Sequence, residues 1–141
     1  MTVNKYHILE CFALTNFLLC SATFGATSQG HGTDVMQEKC AKHFQETLRV
    51  LQPTIVVIQT ITHGDAIRGA FDSNTPVPGG TGTNSVATYE GGRCVVVSLA
   101  HPSSPKYFWG DLSRGPNRQY LWNTVIPALQ DARARIVRRE L

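Results

Sequence analysis

Apolar and polar positions alternate along this chain with two different periods, and the period separates its elements. Met36, Cys40, Phe44, Leu48 and Leu51 recur at helical spacing, while Lys39, Lys42, Glu46 and Arg49 fall on other faces. This predicts an amphipathic helix of about four turns. Thr33 or Asp34 caps its start, Asp34 with Gln37 resembles a capping box, and Pro53 ends it. Thr54 to Gln59 is apolar on both faces, as in a parallel strand covered by helices. Thr60 to Phe71 holds a short helix with Ala66, Ile67 and Ala70 inward. Val86 to Tyr89 reads as a short strand, and Glu90-Gly91-Gly92-Arg93 as a hairpin turn into the strand Cys94–Ala100. Cys11 to Leu19 reads as a first core strand with Asn16 near its end. A last helix runs from about Gln119 to Glu140, with Leu121, Val125, Leu129, Ala132 and Ile136 inward and a kink or break at Pro127.

Between these elements lie Ser-, Thr- and Gly-rich segments. Residues 20–33 form a loop, as do residues 103–118. Residues 72–86, including Pro76-Val77-Pro78-Gly79-Gly80, form a long flexible loop. Its glycines lack the strand-to-helix setting of a phosphate cradle, so they read as a linker.

Length and composition narrow the class. The chain has 141 residues, which suits one domain spanning 1–141 with a core over 11–140. A net charge of +3 leans only weakly towards anionic partners. Four cysteines (Cys11, Cys20, Cys40 and Cys94) include no CxxC pair, so they form neither a dense disulfide framework nor a complete zinc motif. No segment is long and apolar enough to span a bilayer, which predicts a protein without a membrane partner, placed in the cytoplasm. One alternative concerns the start. Lys5, the apolar stretch Ile8–Leu19 and the small residues Ser21, Ala22, Gly25 and Ala26 imitate a signal peptide, so that a small exported protein would lose residues 1–26. Glu10 and Asn16 inside that stretch favour the core strand instead.

Candidate chemistry gathers after the second β-branched run. Val95-Val96-Val97-Ser98-Leu99-Ala100 ends in His101-Pro102-Ser103. The C-terminal ends of strands in an open α/β sheet form the edge where ligands bind. Pro102 biases His101 towards an extended backbone. Asn16, if buried, needs hydrogen-bond partners from the protein or a ligand. Lys106, Tyr107, Phe108 and Trp109 put a cation and three aromatics on one prolyl loop, suited either to stacking on bases or to closing the core. Arg133, Arg135, Arg138 and Arg139 crowd the last helix, as a solvated basic face or a phosphate contact.

Leu14-Thr15-Asn16-Phe17-Leu18-Leu19-Cys20, then Cys40 to Thr60, then Ser98-Leu99-Ala100-His101-Pro102-Ser103 follow one another in an order that resembles the uracil-DNA glycosylase superfamily over residues 11–140. The resemblance implies an α/β fold of three layers, α/β/α, around a central, mostly parallel sheet. It implies a base-excision repair hydrolase that breaks the N-glycosidic bond of uracil flipped out of DNA. Asn16 then matches the asparagine that reads the pyrimidine edge, and His101 the histidine that hydrogen-bonds uracil O2 and stabilises the leaving base. Pro102 and Ser103 match the loop that presses on the DNA backbone, and Lys106, Tyr107 or Phe108 supplies the wedge that helps offset base flipping.

Two features qualify that picture. Cys20 and Cys40 match two of four iron–sulfur ligands in some branches. A cluster needs four thiolates, so the expectation is no cofactor here and a 4Fe–4S cluster only in a longer form. The superfamily's Gly/Pro-rich, water-positioning first motif has no counterpart before Asn16. The chain therefore reads as a domain truncated at its N-terminus, monomeric, and weakly active or inactive. The alternative is a non-catalytic remnant that binds nucleic acid or a free base.

Overall fold

The computed structural model describes residues 13–15, 17, 22–23, 30–31, 33–60, 64–77, 83–102 and 115–138. Their elements run in the order β1 (Ala22–Thr23), β2 (Gly30–His31), α1 (Asp34–Leu51), β3 (Ile55–Gln59), α2 (Gly64–Arg68), β4 (Ser73–Pro76), β5 (Asn84–Tyr89), β6 (Gly92–Leu99), α3 (Gly115–Tyr120), a π-helical turn (Leu121–Val125) and α4 (Ile126–Arg138).

Helix α1 forms where the apolar period predicts it. Thr33 caps it: its hydroxyl accepts from the Met36 N–H at 3.3 Å, and its own N–H donates to the Met36 sulfur at 3.4 Å. The reciprocal cap is therefore Thr33 with Met36, not Asp34 with Gln37, because the first helical residue is Asp34 itself. At the other end Gln52 turns left-handed and donates to the Leu48 carbonyl, and Pro53 follows.

The main sheet has the order β3-β6-β5-β4. β3 and β6 are parallel, from Ile55 opposite Val95 to Gln59 opposite Leu99. β6 pairs antiparallel with β5, and β5 with β4. The α/β class holds, but the expected mostly parallel sheet does not: only one of its three ladders is parallel. The cause is local. Glu90-Gly91 makes a two-residue hairpin between Tyr89 and Gly92, with Gly91 at φ +95°, and such a turn forces neighbouring strands antiparallel. The predicted loop over 72–86 is also corrected, since it contains β4 and the first residues of β5. Backbone pairing to a buried neighbour orders Ser73–Pro76 despite its polar, turn-like composition.

Alternation along β6 sends its side chains to two cores. Cys94 and Val96 join Phe44, Leu48, Ile58, Ile67, Ala70, Phe71, Ala87 and Tyr89, with α1 and α2. Val95, Val97 and Leu99 join Val125, Ala128 and Ala132, from the C-terminal helical segment. Phe17 packs edge-on against Phe44, with centroids 5.7 Å apart, and Phe44 does the same against Phe71 at 5.8 Å. The Tyr89 hydroxyl donates to the Pro53 carbonyl at 3.2 Å and so ties the hairpin end to the entrance of β3.

Three further expectations change. The strand expected to be covered by helices on both faces leaves Val57 40% exposed, and among the described residues β3 pairs on one side only. The first strand, read over Cys11–Leu19, is not formed at Ala13–Thr15, which are exposed and without regular structure; the rest of it, apart from Phe17 in a bend, lies outside the described residues. In the last helix Ala128 is fully buried, whereas Leu129 is 38% exposed. That helix starts earlier than predicted, at Gly115, and widens just ahead of Pro127, where the Ile126 N–H bonds back to the Leu121 carbonyl. A proline ring collides with the carbonyl four residues before it, and a widened turn relieves that collision. No helix among the described residues is long and apolar enough to cross a membrane.

Candidate functional site

The parallel pair sets one rim of the sheet. Because Gln59 lies opposite Leu99, β3 and β6 end side by side, and Ala100-His101-Pro102 leaves the sheet there. His101 is exposed, as its place after the apolar run predicts. The backbone just before it is held: the Ala100 N–H donates to the Tyr120 hydroxyl of α3 at 2.9 Å. Ala100 itself is buried, so the histidine stands on a fixed base. Of the other residues assigned by resemblance, Pro102 is half-buried beside it. Asn16, Ser103, Lys106, Tyr107, Phe108 and Cys20 lie outside the described residues.

The described cysteines are both buried and unbridged. Cys40 is buried on α1, and Cys94 is completely buried on β6. Burial pushes the Cys94 thiol up to about 12, which makes it a poor thiolate ligand. Among the described residues no three His, Cys, Asp or Glu side chains gather closely enough to hold a metal ion. Cys20, which the resemblance pairs with Cys40, lies outside the described residues.

A second group of polar side chains meets on the α2 side of the same rim. The Arg68 guanidinium donates to the Ser98 hydroxyl at 3.1 Å and to the Asp65 carboxylate. Gly64 makes room for it, since a Cβ there would stand 3.0 Å from Nη1 of Arg68. Asn74 on β4 lies opposite Ala87, and Ser85 on β5 opposite Val96, so both belong to the face that carries the α1–α2 core. That face is apolar at Cys94, Val96 and Ala87 and turns polar at Asn74, Ser85 and Ser98. The Asn74 amide is shielded from solvent, and neither its nitrogen nor its oxygen has a hydrogen-bond partner. Leaving a buried polar group unpaired costs about 1–3 kcal/mol. These side chains border a cleft of about 530 Å³.

Sequence reasoning reached His101 because a proline and a β-branched strand flank it. It missed Arg68, Asn74 and Ser85. Asn74 sat in a segment whose composition reads as loop, and the pairing of β4 is not a local property. One signal was available: Ser98 breaks the apolar run of its own strand. No family model matches the chain, and neither a curated protein nor a solved structure matches it.

Proposed function

We propose that this chain is a uracil-DNA glycosylase-like domain of base-excision repair, acting on uracil-containing or damaged DNA as a cytoplasmic monomer. The observation that carries the reading is His101, exposed immediately beyond the C-terminal end of a strand that runs parallel to its neighbour. The disposition of α1 and α4 against opposite faces of β6 is in keeping with the three-layer plan of that superfamily.

In the proposed reaction the bond between the sugar carbon and the base nitrogen breaks, and its electron pair moves onto the base. A His101 ring N–H donates to the base oxygen where that charge develops. A donor fixed in place before the bond breaks stabilises the transition state more than the ground state. Water then bonds to the sugar carbon, its proton passes to bulk solvent, and the base anion takes one up from solvent. With no carboxylate assigned to accept the water's proton, the expected rate is low.

A single-turnover assay on a uracil-containing oligonucleotide tests the reading. We expect slow excision that falls by about 100-fold in His101→Ala, the usual scale for losing one such donor. Fast excision that persists in His101→Ala overturns the role of the histidine. Absence of any excision, together with no preference for uracil in DNA binding, overturns the glycosylase reading as a whole.

A further inference from the structure

The cleft beside α2 has features that the glycosylase reading does not use. Its charged group is Arg68, whose side chain is 35% exposed and whose carboxylate partner Asp65 is 98% exposed. An ion pair that open to water is weak, so the guanidinium is available to a stronger anion. Arg carries five N–H donors in a planar fork that suits phosphate. Ser98 stands against that fork as a hydroxyl donor or acceptor.

Deeper on the sheet face, Asn74 offers a donor and an acceptor side by side, both unpaired. Native structures rarely leave buried polar atoms so, and each case calls for an explanation. An asparagine amide pairs bidentately with a planar ring edge that carries an adjacent donor and acceptor, as adenine does through N6 and N7. Uracil presents the same alternation through its imide edge. Water does not reach the Asn74 amide, so a ring edge gains these bonds without stripping a hydration shell from it. The volume, about 530 Å³, falls in the range of small-molecule sites.

We propose that this cleft binds a nucleoside monophosphate, with the phosphate on the Arg68 guanidinium and the base edge on the Asn74 amide. Because the amide is closed to water in this structure, the side chains around it must part to admit the ring. Ser85 and Ser98 line the path between the two ends. The proposal stands independently of the glycosylase reading, because His101 takes no part in it.

Calorimetric titration of the full chain with AMP, UMP, the two parent nucleosides and inorganic phosphate tests it. We expect one of the monophosphates to bind with one-to-one stoichiometry, at least tenfold more tightly than its nucleoside or inorganic phosphate. AMP against UMP tells which edge the amide reads. Arg68→Lys, which keeps the charge but loses the fork, weakens binding at least tenfold. Asn74→Leu does the same while melting no lower than the parent, since it removes an unpaired amide; Asn74→Ala, smaller and uncharged, serves if the leucine does not fold. His101→Ala binds as the parent does. Failure of both monophosphates to bind at millimolar concentration overturns the proposal. So does inorganic phosphate binding as tightly as either, or full affinity in the folded Asn74 variants.

Discussion

The amide nitrogen of Asn84 lies 2.8 Å from a carboxylate oxygen of Asp131, and joins the first residue of β5 to the middle of α4. The same nitrogen donates to the Ala128 carbonyl, also at 2.8 Å. Asn84 is 4% exposed, so water does not replace these bonds when they are lost. Asn84→Ala is expected to cost about 1–3 kcal/mol in chemical denaturation. Asn84→Asp sets two carboxylates against each other and costs more at neutral pH. The gap between the two variants closes in acid, where the carboxylates protonate. Equal stability of the parent and Asn84→Ala would contradict this account of the contact.

Asp131 makes that contact pH-dependent. Its carboxyl is held below the usual range first by the hydrogen bond from Arg135, at 3.0 Å, and then by Asn84. A pKa lowered on folding means the unfolded chain binds the proton more readily. The stability it contributes is therefore complete above the ordinary aspartate value of about 3.9 and drains away as pH falls through the lower, folded one. Denaturation midpoints measured downward from pH 6 are expected to fall more gently in Asp131→Asn than in the parent. Parallel slopes would sink the assignment.

At the alkaline end Cys94 acts in the opposite sense. Burial raises its pKa from 9.0 to about 12, so the folded state holds the thiol proton that the unfolded chain gives up. The contribution is complete below pH 9 and is lost as pH rises from there towards 12. Tyr89, pushed up chiefly by burial and then by Cys94, works in the same direction. Cys94→Ala is expected to flatten part of this alkaline decline. In the native parent, peptide mapping after thiol labelling at pH 8 should leave Cys94 unmodified. Labelling there before unfolding would refute its burial.

Gly92 opens β6 under the ring of Tyr89. A Cβ at this position would meet the Tyr89 hydroxyl oxygen at 2.7 Å and its ring carbon at 2.9 Å. Gly92→Ala must therefore displace a ring whose hydroxyl holds the Pro53 carbonyl. The expected loss is about 1–3 kcal/mol, typical of overpacking. Combining it with Tyr89→Phe should restore little, because the ring itself is in the way. A thermally neutral Gly92→Ala would show that the ring yields freely.

Local rules carried much of the fold. The stripe from Cys40 to Leu48 and the stop at Pro53 determine α1, and the Glu90-Gly91 turn is written in its own residues. The β-branched run before His101 predicts a buried strand and an exposed histidine, and both are found. What was not legible depends on partners distant in sequence. Ser73–Pro76 has no strand composition and becomes one only against β5. Val57 looks buried in isolation and is exposed because β3 has a partner on one side only among the described residues. Leu129 keeps helical spacing with Val125, yet Ala128 faces the sheet, with its carbonyl held by Asn84. At the candidate site, His101 was legible through its flanking residues. The Arg68–Ser98 contact joins α2 to β6 and needs the folded chain to be seen.

The strand order also has a kinetic reading. β4, β5 and β6 follow one another as a meander, whereas β3 reaches β6 only across the whole stretch between them. Closing a short loop sacrifices less chain entropy than closing a long one, so the meander is expected to assemble first and β3 to dock onto it afterwards. Under native conditions the reverse order governs opening: amide protons of β5 and of the β6 face towards it should exchange last, and those of β3 earlier. Slower exchange in β3 than in β5 would invert this sequence of events.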